Sequence, residues 1–177
     1  MTMTNNDEYE KLTREQLIEL LKMYGRFALT LDGLWFIGME RIQGLDTTVT
    51  QDEEVWRYFG KSEGKMLKKF LHLDRVDNPA DICRIYLLTS VFGNMGGRAR
   101  IEGQKCFLAV TDCHPQKARI KKNLGEFPCK SVGTAYFEGL LTEINPDIQF
   151  RCAVCPPDEH PKDLWCEWEV WILKKVS

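Results

Sequence analysis

The period of the hydrophobic pattern changes once along this chain, and no other feature restricts the fold as much. Over the first half, apolar residues recur every three or four positions, at Leu17, Leu20, Leu21, Tyr24, Phe27, Ala28, Leu31, Leu34, Trp35 and Ile42. That spacing is the 3.6-residue repeat of a helix. Thr13 is a good N-cap, Gln16 completes a capping box, and Gly44 suits the stop. Gly25, Gly33 and Gly38 weaken the run, so one bent helix and two shorter ones both satisfy it. A second helix is expected from Thr50, with Glu53 three positions on and Val55, Trp56, Phe59, Met66, Leu67, Phe70 and Leu71 along one side. A third begins near Asn78-Pro79 and carries Ile82, Ile85 and Leu88, although YLLTSVF at its far end suits a strand equally.

Beyond Gly96-Gly97 the pattern changes character. RARIEGQKCFLAVTDC reads as two extended segments around a tight turn at Gly103. Pro115 opens a helix that stops at Gly125, and Pro128 opens another carrying Val132, Tyr136, Phe137, Leu140, Leu141 and Ile144. IQFRCAV and LWCEWEVWIL then alternate on either side of CPPDEHPKD, which makes a terminal hairpin. The fold class is therefore α+β, with N-terminal helices packed on an antiparallel sheet, two further helices and a C-terminal β-hairpin. One domain is expected over residues 1–177, with a helical half at about 13–92 and a cysteine-rich α+β half at about 96–175.

Composition narrows the function classes. Hydrophobic residues make up 44% of the 177, enough for a real core. Lys plus Arg is 24 against Asp plus Glu 26, which argues against a protein whose task is to hold nucleic-acid phosphates. No stretch reaches a membrane span, and MTMTNNDEYEKL lacks the basic-then-apolar pattern of a signal peptide, so a cytoplasmic location is expected. GNMGGR does not open a helix after a strand, and neither G-x-S-x-G nor H-E-x-x-H occurs.

Cysteine is the anomaly. Of seven, five crowd the last third: Cys113, Cys129, Cys152, Cys155 and Cys166. An odd number without a secretory signal points to metal binding or thiol chemistry rather than a disulfide framework. Cys113 and Cys129 each precede an expected helix, where unpaired N–H groups lower a thiol pKa, and this suits a ligand and a nucleophile alike. In the terminal hairpin a two-for-two count places Cys152 opposite Cys166, with Cys155 at the loop mouth. His114 and His160 read as exposed loop residues. Two acids lie among apolar neighbours at helical spacing, Asp32 near Trp35 and Phe36, and Glu63 near Phe59, Met66 and Phe70. If their helices pair, the two acids line one polar spot in an aromatic pocket, or else form a hydrogen-bonding pair that fixes helix packing.

DGLWF, VTDCHPQKAR, FPCKSVG, CAVCPPD and LWCEWE together resemble a family of uncharacterised prokaryotic cytosolic proteins, distantly similar to L-2-amino-thiazoline-4-carboxylate hydrolases and to vinyl-reductase-type small-molecule-binding domains. The resemblance runs from Leu17 to Leu173, implies the same α+β fold, and singles out Asp32, Trp35, Cys113, Gln116, Arg119, Cys129, Cys155 and Cys166. Three functions are then expected, in this order. The first is a protein whose five late cysteines hold Zn²⁺ or an iron–sulfur cluster beside a small-molecule pocket that involves Asp32, Trp35, Glu63, Gln116 and Arg119. The second in order is a metal-free ligand-binding or homodimerising module. The third is a hydrolase of the thiazoline-carboxylate type, with Cys113 or Cys129 as nucleophile and Arg119 holding a substrate carboxylate.

Overall fold

A computed structural model describes residues 4–173; the ends of the expected span, 1–3 and 174–177, lie outside the described residues. A short helix α1 (Asn5–Tyr9) precedes α2 (Arg14–Gln43), α3 (Leu45–Phe70) and α4 (Pro79–Leu88). A 3₁₀ turn at Phe92–Asn94 leads to β1 (Arg98–Glu102) and β2 (Lys105–Val110). Then come α5 (His114–Lys121), α6 (Lys130–Ile144), β3 (Ile148–Val154) and β4 (Cys166–Ile172). The fold is α+β, as the change of period requires. Among the described residues no helix is long and apolar enough to cross a membrane.

Local signals account for most boundaries. Thr13 and Gln16 form the capping box of α2, which runs as one helix of 30 residues through all three glycines. Asn78 caps α4 through Asp81 N–H, with Pro79 in the first turn, and YLL ends this helix rather than starting a strand. The expectation of a helix starting at Thr50 is corrected. Gly44, at φ 84° and ψ 165°, is the only residue between α2 and α3, so α3 starts at Leu45. A single left-handed glycine turns the chain where a longer loop was expected.

The sheet is antiparallel in the order β1-β2-β4-β3, so the last strand is an inner one. Its inner face carries Cys106, Leu108, Val110, Cys166, Trp168 and Val170, all buried. Its outer face is a charged ladder in which Glu169 meets Lys105 and Arg151, and Glu167 meets Arg100. The alternation of one dry and one ionic face is what a half-covered antiparallel sheet demands. Helix α4 lies on β1 and β2, α6 lies against β3, and α3 packs along α6.

That last pair is unusually close because glycine meets backbone. A Cβ on Gly139 would stand 2.1 Å from the Arg57 carbonyl oxygen, and one on Gly60 would stand 2.4 Å from that of Tyr136. The close approach brings the aromatic side chains of α3 against those of α6. Trp56 stands edge-on to Tyr136 with ring centroids 5.9 Å apart, and Phe92 lies 4.6 Å from the same ring.

Candidate functional site: a cavity under the second helix

Helix α2 reaches the rest of the molecule at a few points. Gly25 lets it approach Asn94 and Ser90, and Phe36 meets Phe127 edge-on at 4.8 Å. Glu40 accepts two hydrogen bonds from Arg119, at 2.6 and 3.1 Å. Between these supports α2 bridges a cavity of about 520 Å³, closed by α3, α5, the start of α6 and the sheet end at Val110, Cys166 and Trp168. Small-molecule sites commonly have this size and a mostly apolar lining.

The polar groups in that lining are few and arranged unusually. Asp32 on α2 and Asp52 on α3 both line it, on either side of Trp56. Burial pushes the Asp32 carboxyl up to about 6, and the Trp56 indole opposes the rise. Burial also pushes Asp52 up, to about 7, reinforced by the negative charge of Asp32. The buried Trp56 N–H is turned toward both acids, and its interaction with each carboxylate opposes the rise. Two buried N–H groups have no partner among the described residues, Arg119 Nε and Trp168 Nε1. Both residues line the same cavity. A native interior leaves few donors unpaired, and both of these belong to residues of the cavity wall.

Several expected site residues take other positions. Gln116 and Arg119 border the cavity, but both are largely engaged. Gln116 Nε2 donates to the Phe127 carbonyl and Oε1 accepts from the Phe127 N–H, both at 2.7 Å, so this side chain pins the loop before α6. The Arg119 head groups belong to Glu40, with Phe36 and Phe127 on the guanidinium at 5.9 and 5.8 Å. Glu63 is away from the cavity lining, and its two oxygens accept from Ser90 N–H and Tyr136 O–H at 2.6 Å each. Trp35 points outward and is 68% exposed. Asp32 thus meets Asp52, not Glu63. Nothing in the sequence singles out Asp52, because a helix starting at Thr50 puts it in the first turn, where an acid is ordinary. With the start at Leu45 it falls in mid-helix, on the face of Thr48, Trp56 and Glu63.

The cysteines separate into two kinds. Cys113 borders the cavity, but burial raises its thiol pKa rather than lowering it, so the expected effect of the helix start is overridden. The register also corrects the hairpin: Cys152 faces Trp168 and Val154 faces Glu167, with an irregularity between them, while Cys166 faces Val110 on β2. Even so, four thiols gather. Cys155 Sγ lies 3.5 Å from Cys129 Sγ, and the thiols of Cys152 and Cys166 also reach Cys155. The contact with Cys155 lowers the Cys129 thiol, which Gln116 Nε2 also approaches at 3.4 Å. Among the described residues no three His, Cys, Asp or Glu side chains already surround a common point where a metal ion would sit.

These features define an α+β protein built around an apolar cavity with an acid pair on one wall and a thiol cluster on another. The chain belongs to DUF6125, a family of unknown function, whose pattern matches residues 10–172. No curated protein matches it.

Proposed function

We propose that this protein binds a compact, largely apolar small molecule carrying hydrogen-bond acceptors, held in the cavity beneath α2. The carrying observation is a mostly apolar cavity of about 520 Å³ whose wall holds the Asp32–Asp52 acid pair together with Arg119 and Trp168, each of which has an unpaired buried N–H. A carbonyl or ring acceptor would take a hydrogen bond from the Asp52 carboxyl, whose proton burial holds to about 7. Burial raises the Cys113 thiol and Glu40 already holds the Arg119 head groups, which counts against those two as nucleophile and carboxylate clamp. The Cys129 thiol, lowered and on the cavity wall, is the residue on which the hydrolase alternative rests.

The neutral naphthyl ketone Prodan is a suitable probe, since it is aromatic, uncharged and carries one carbonyl acceptor. It should bind saturably, one per chain, with blue-shifted emission and energy transfer from tryptophan. Ala118 is exposed at the cavity wall, so Ala118→Trp plugs the space without disturbing the core. This variant should bind Prodan at least about tenfold more weakly. Non-saturable binding, or binding indifferent to Ala118→Trp, would remove the reading.

A second reading rests on the thiols gathered at Cys155. Cys129, Cys152, Cys155 and Cys166 are soft donors of the kind Zn²⁺ and iron–sulfur clusters use, and the 3.5 Å Sγ–Sγ spacing is close to the roughly 3.8 Å across a tetrahedral zinc-thiolate site. The four would have to close about a shared centre on binding. Bound there, the metal would brace the start of α6 against β3 and β4, a structural task. Protein purified without chelator should carry about one zinc per chain, and Co²⁺ should give a thiolate-to-metal charge-transfer band lost in Cys155→Ser. Metal-free, stably folded protein with no cobalt band would end this reading while leaving the cavity reading untouched.

A further inference from the structure

Helix α2 is apolar on two sides, and its own chain uses one of them. Gly25, Leu29, Phe36 and Glu40 face inward. On the opposite side Leu17, Leu20, Tyr24, Phe27, Leu31, Leu34 and Gly38 alternate at spacings of three and four, which is the seam of a two-stranded coiled coil. Leu21, Trp35 and Ile42 widen the stripe. Phe27, Leu31, Leu34, Trp35 and Ile42 are 56% to 80% exposed. Tyr9 approaches Tyr24 near the start of the seam, while over Gly38 there is open space within 4 Å. A helix hydrophobic on both sides is normally buried on both.

We infer that a second copy of this chain covers this face, the two α2 helices packing along the Leu17–Gly38 seam into a twofold dimer. Three observations favour a second copy over another partner. The seam has the three-four spacing that two identical helices satisfy by interlocking side chains. Leu21, Tyr24, Phe27, Leu31, Leu34, Trp35 and Ile42 together leave on the order of 900 Å² open, against the roughly 800 Å² per partner of a stable interface. A patch this large exceeds the roughly 300–600 Å² found on monomers. Gly38, with nothing above it, lets two helix backbones approach closely. Leu34 belongs both to this seam and to the cavity wall, so the second copy would lie beside the cavity.

Sedimentation equilibrium on the full chain, at concentrations up to about 0.1 mM, tests this without reference to what the cavity holds. Wild-type protein should sediment at twice 20.6 kDa. Phe27 and Leu31 lie outside the cavity lining. Phe27→Glu with Leu31→Glu should therefore give a folded monomer of 20.6 kDa with the helical circular dichroism of the parent. The milder Leu31→Asn should weaken self-association by about a hundredfold, which keeps the test decisive if the double variant misfolds. Ile101→Glu, on an exposed position of β1, should leave the mass unchanged. A monomeric wild type would overturn the inference, as would a dimer that survives the seam substitutions, or wild-type monomers that attach to vesicles or to a different protein.

Discussion

Gly139→Ala should unfold this protein or strip it of most of its stability, although the change adds a single methyl group. The new Cβ would stand 2.1 Å from the Arg57 carbonyl oxygen and 3.0 Å from the Lys61 nitrogen. Both are backbone atoms of α3, so no side chain can rotate away and the two helices must part. Overpacking by one or two methylenes typically costs about 1–3 kcal/mol, and a contact rigid on both sides lies at or above the top of that range. Set against a total of roughly 5–15 kcal/mol, that is a severe loss. Parting α3 from α6 also separates Trp56 from Tyr136 and opens the cavity wall, so Prodan binding should fall with stability. Gly33→Ala should act in the opposite direction. That glycine is mid-helix in α2 with nothing within 4 Å, and removing its backbone freedom should add about 0.5–1 kcal/mol. Guanidinium melts of the two variants check both signs at once. Equal effects would mean that α3 and α6 are not in backbone contact.

Asp52→Asn should make the protein more stable above neutral pH and remove most of a pH dependence that the parent shows. The unfolded chain releases the Asp52 proton near 3.8, whereas the folded chain holds it to about 7 because burial, and then Asp32, disfavour the charged form. Below about pH 4 the group is protonated in both states and exerts no penalty. As pH rises from there to about 7 the unfolded state ionises first, so stability falls, and above that the full penalty applies. Each tenfold difference in proton affinity between the two states is worth about 1.4 kcal/mol, which makes the loss on the order of 4 kcal/mol. Asp32, raised to about 6, adds to it in the same window. Asparagine has no charged form to bury. Denaturant melts at about pH 4 and pH 8 should show the parent losing far more stability than the variant. A parent whose stability is flat across that window would mean the two carboxyls are solvated. The same proton gives the cavity a neutral acid that can donate to an acceptor at neutral pH, a use of buried carboxyls common at functional sites.

Most of what depends on near neighbours was legible in the sequence. The capping box at Thr13 and Gln16, the cap at Asn78 with Pro79, and the turn at Gly103 each rest on contacts three or four residues long, and each formed where expected. Alternation at period two likewise marks β3 and β4. Asp32 stands out correctly as an acid on an apolar face. Its partner does not, because the local signals start α3 at Thr50, five residues late. Asp52 lies one turn before Trp56 and shares its face wherever the helix begins, but a start at Thr50 makes it an ordinary first-turn acid, whereas the start at Leu45 places it within the helix, on the cavity wall.

The seven cysteines show the same boundary between local and long-range information. Their crowding into the last third is plain in the chain, and it marks the right region. Which thiols meet depends on strand register, where one residue of slippage exchanges the faces of a sheet. The irregularity after Cys152 puts Trp168 opposite it, yet the loop carries Cys155 back among Cys129, Cys152 and Cys166. Glu63 is recognisable as buried, but whether it faces a cavity or a tyrosine turns on the glycine-mediated contact of α3 with α6. Sequence alone determined the element types, most of their ends and the apolar character of both sides of α2, because periodicity and capping are local. Only the tertiary structure decided which acid stands by Asp32, which thiols gather, and which side of α2 is left uncovered, because those follow from packing between segments far apart in the chain.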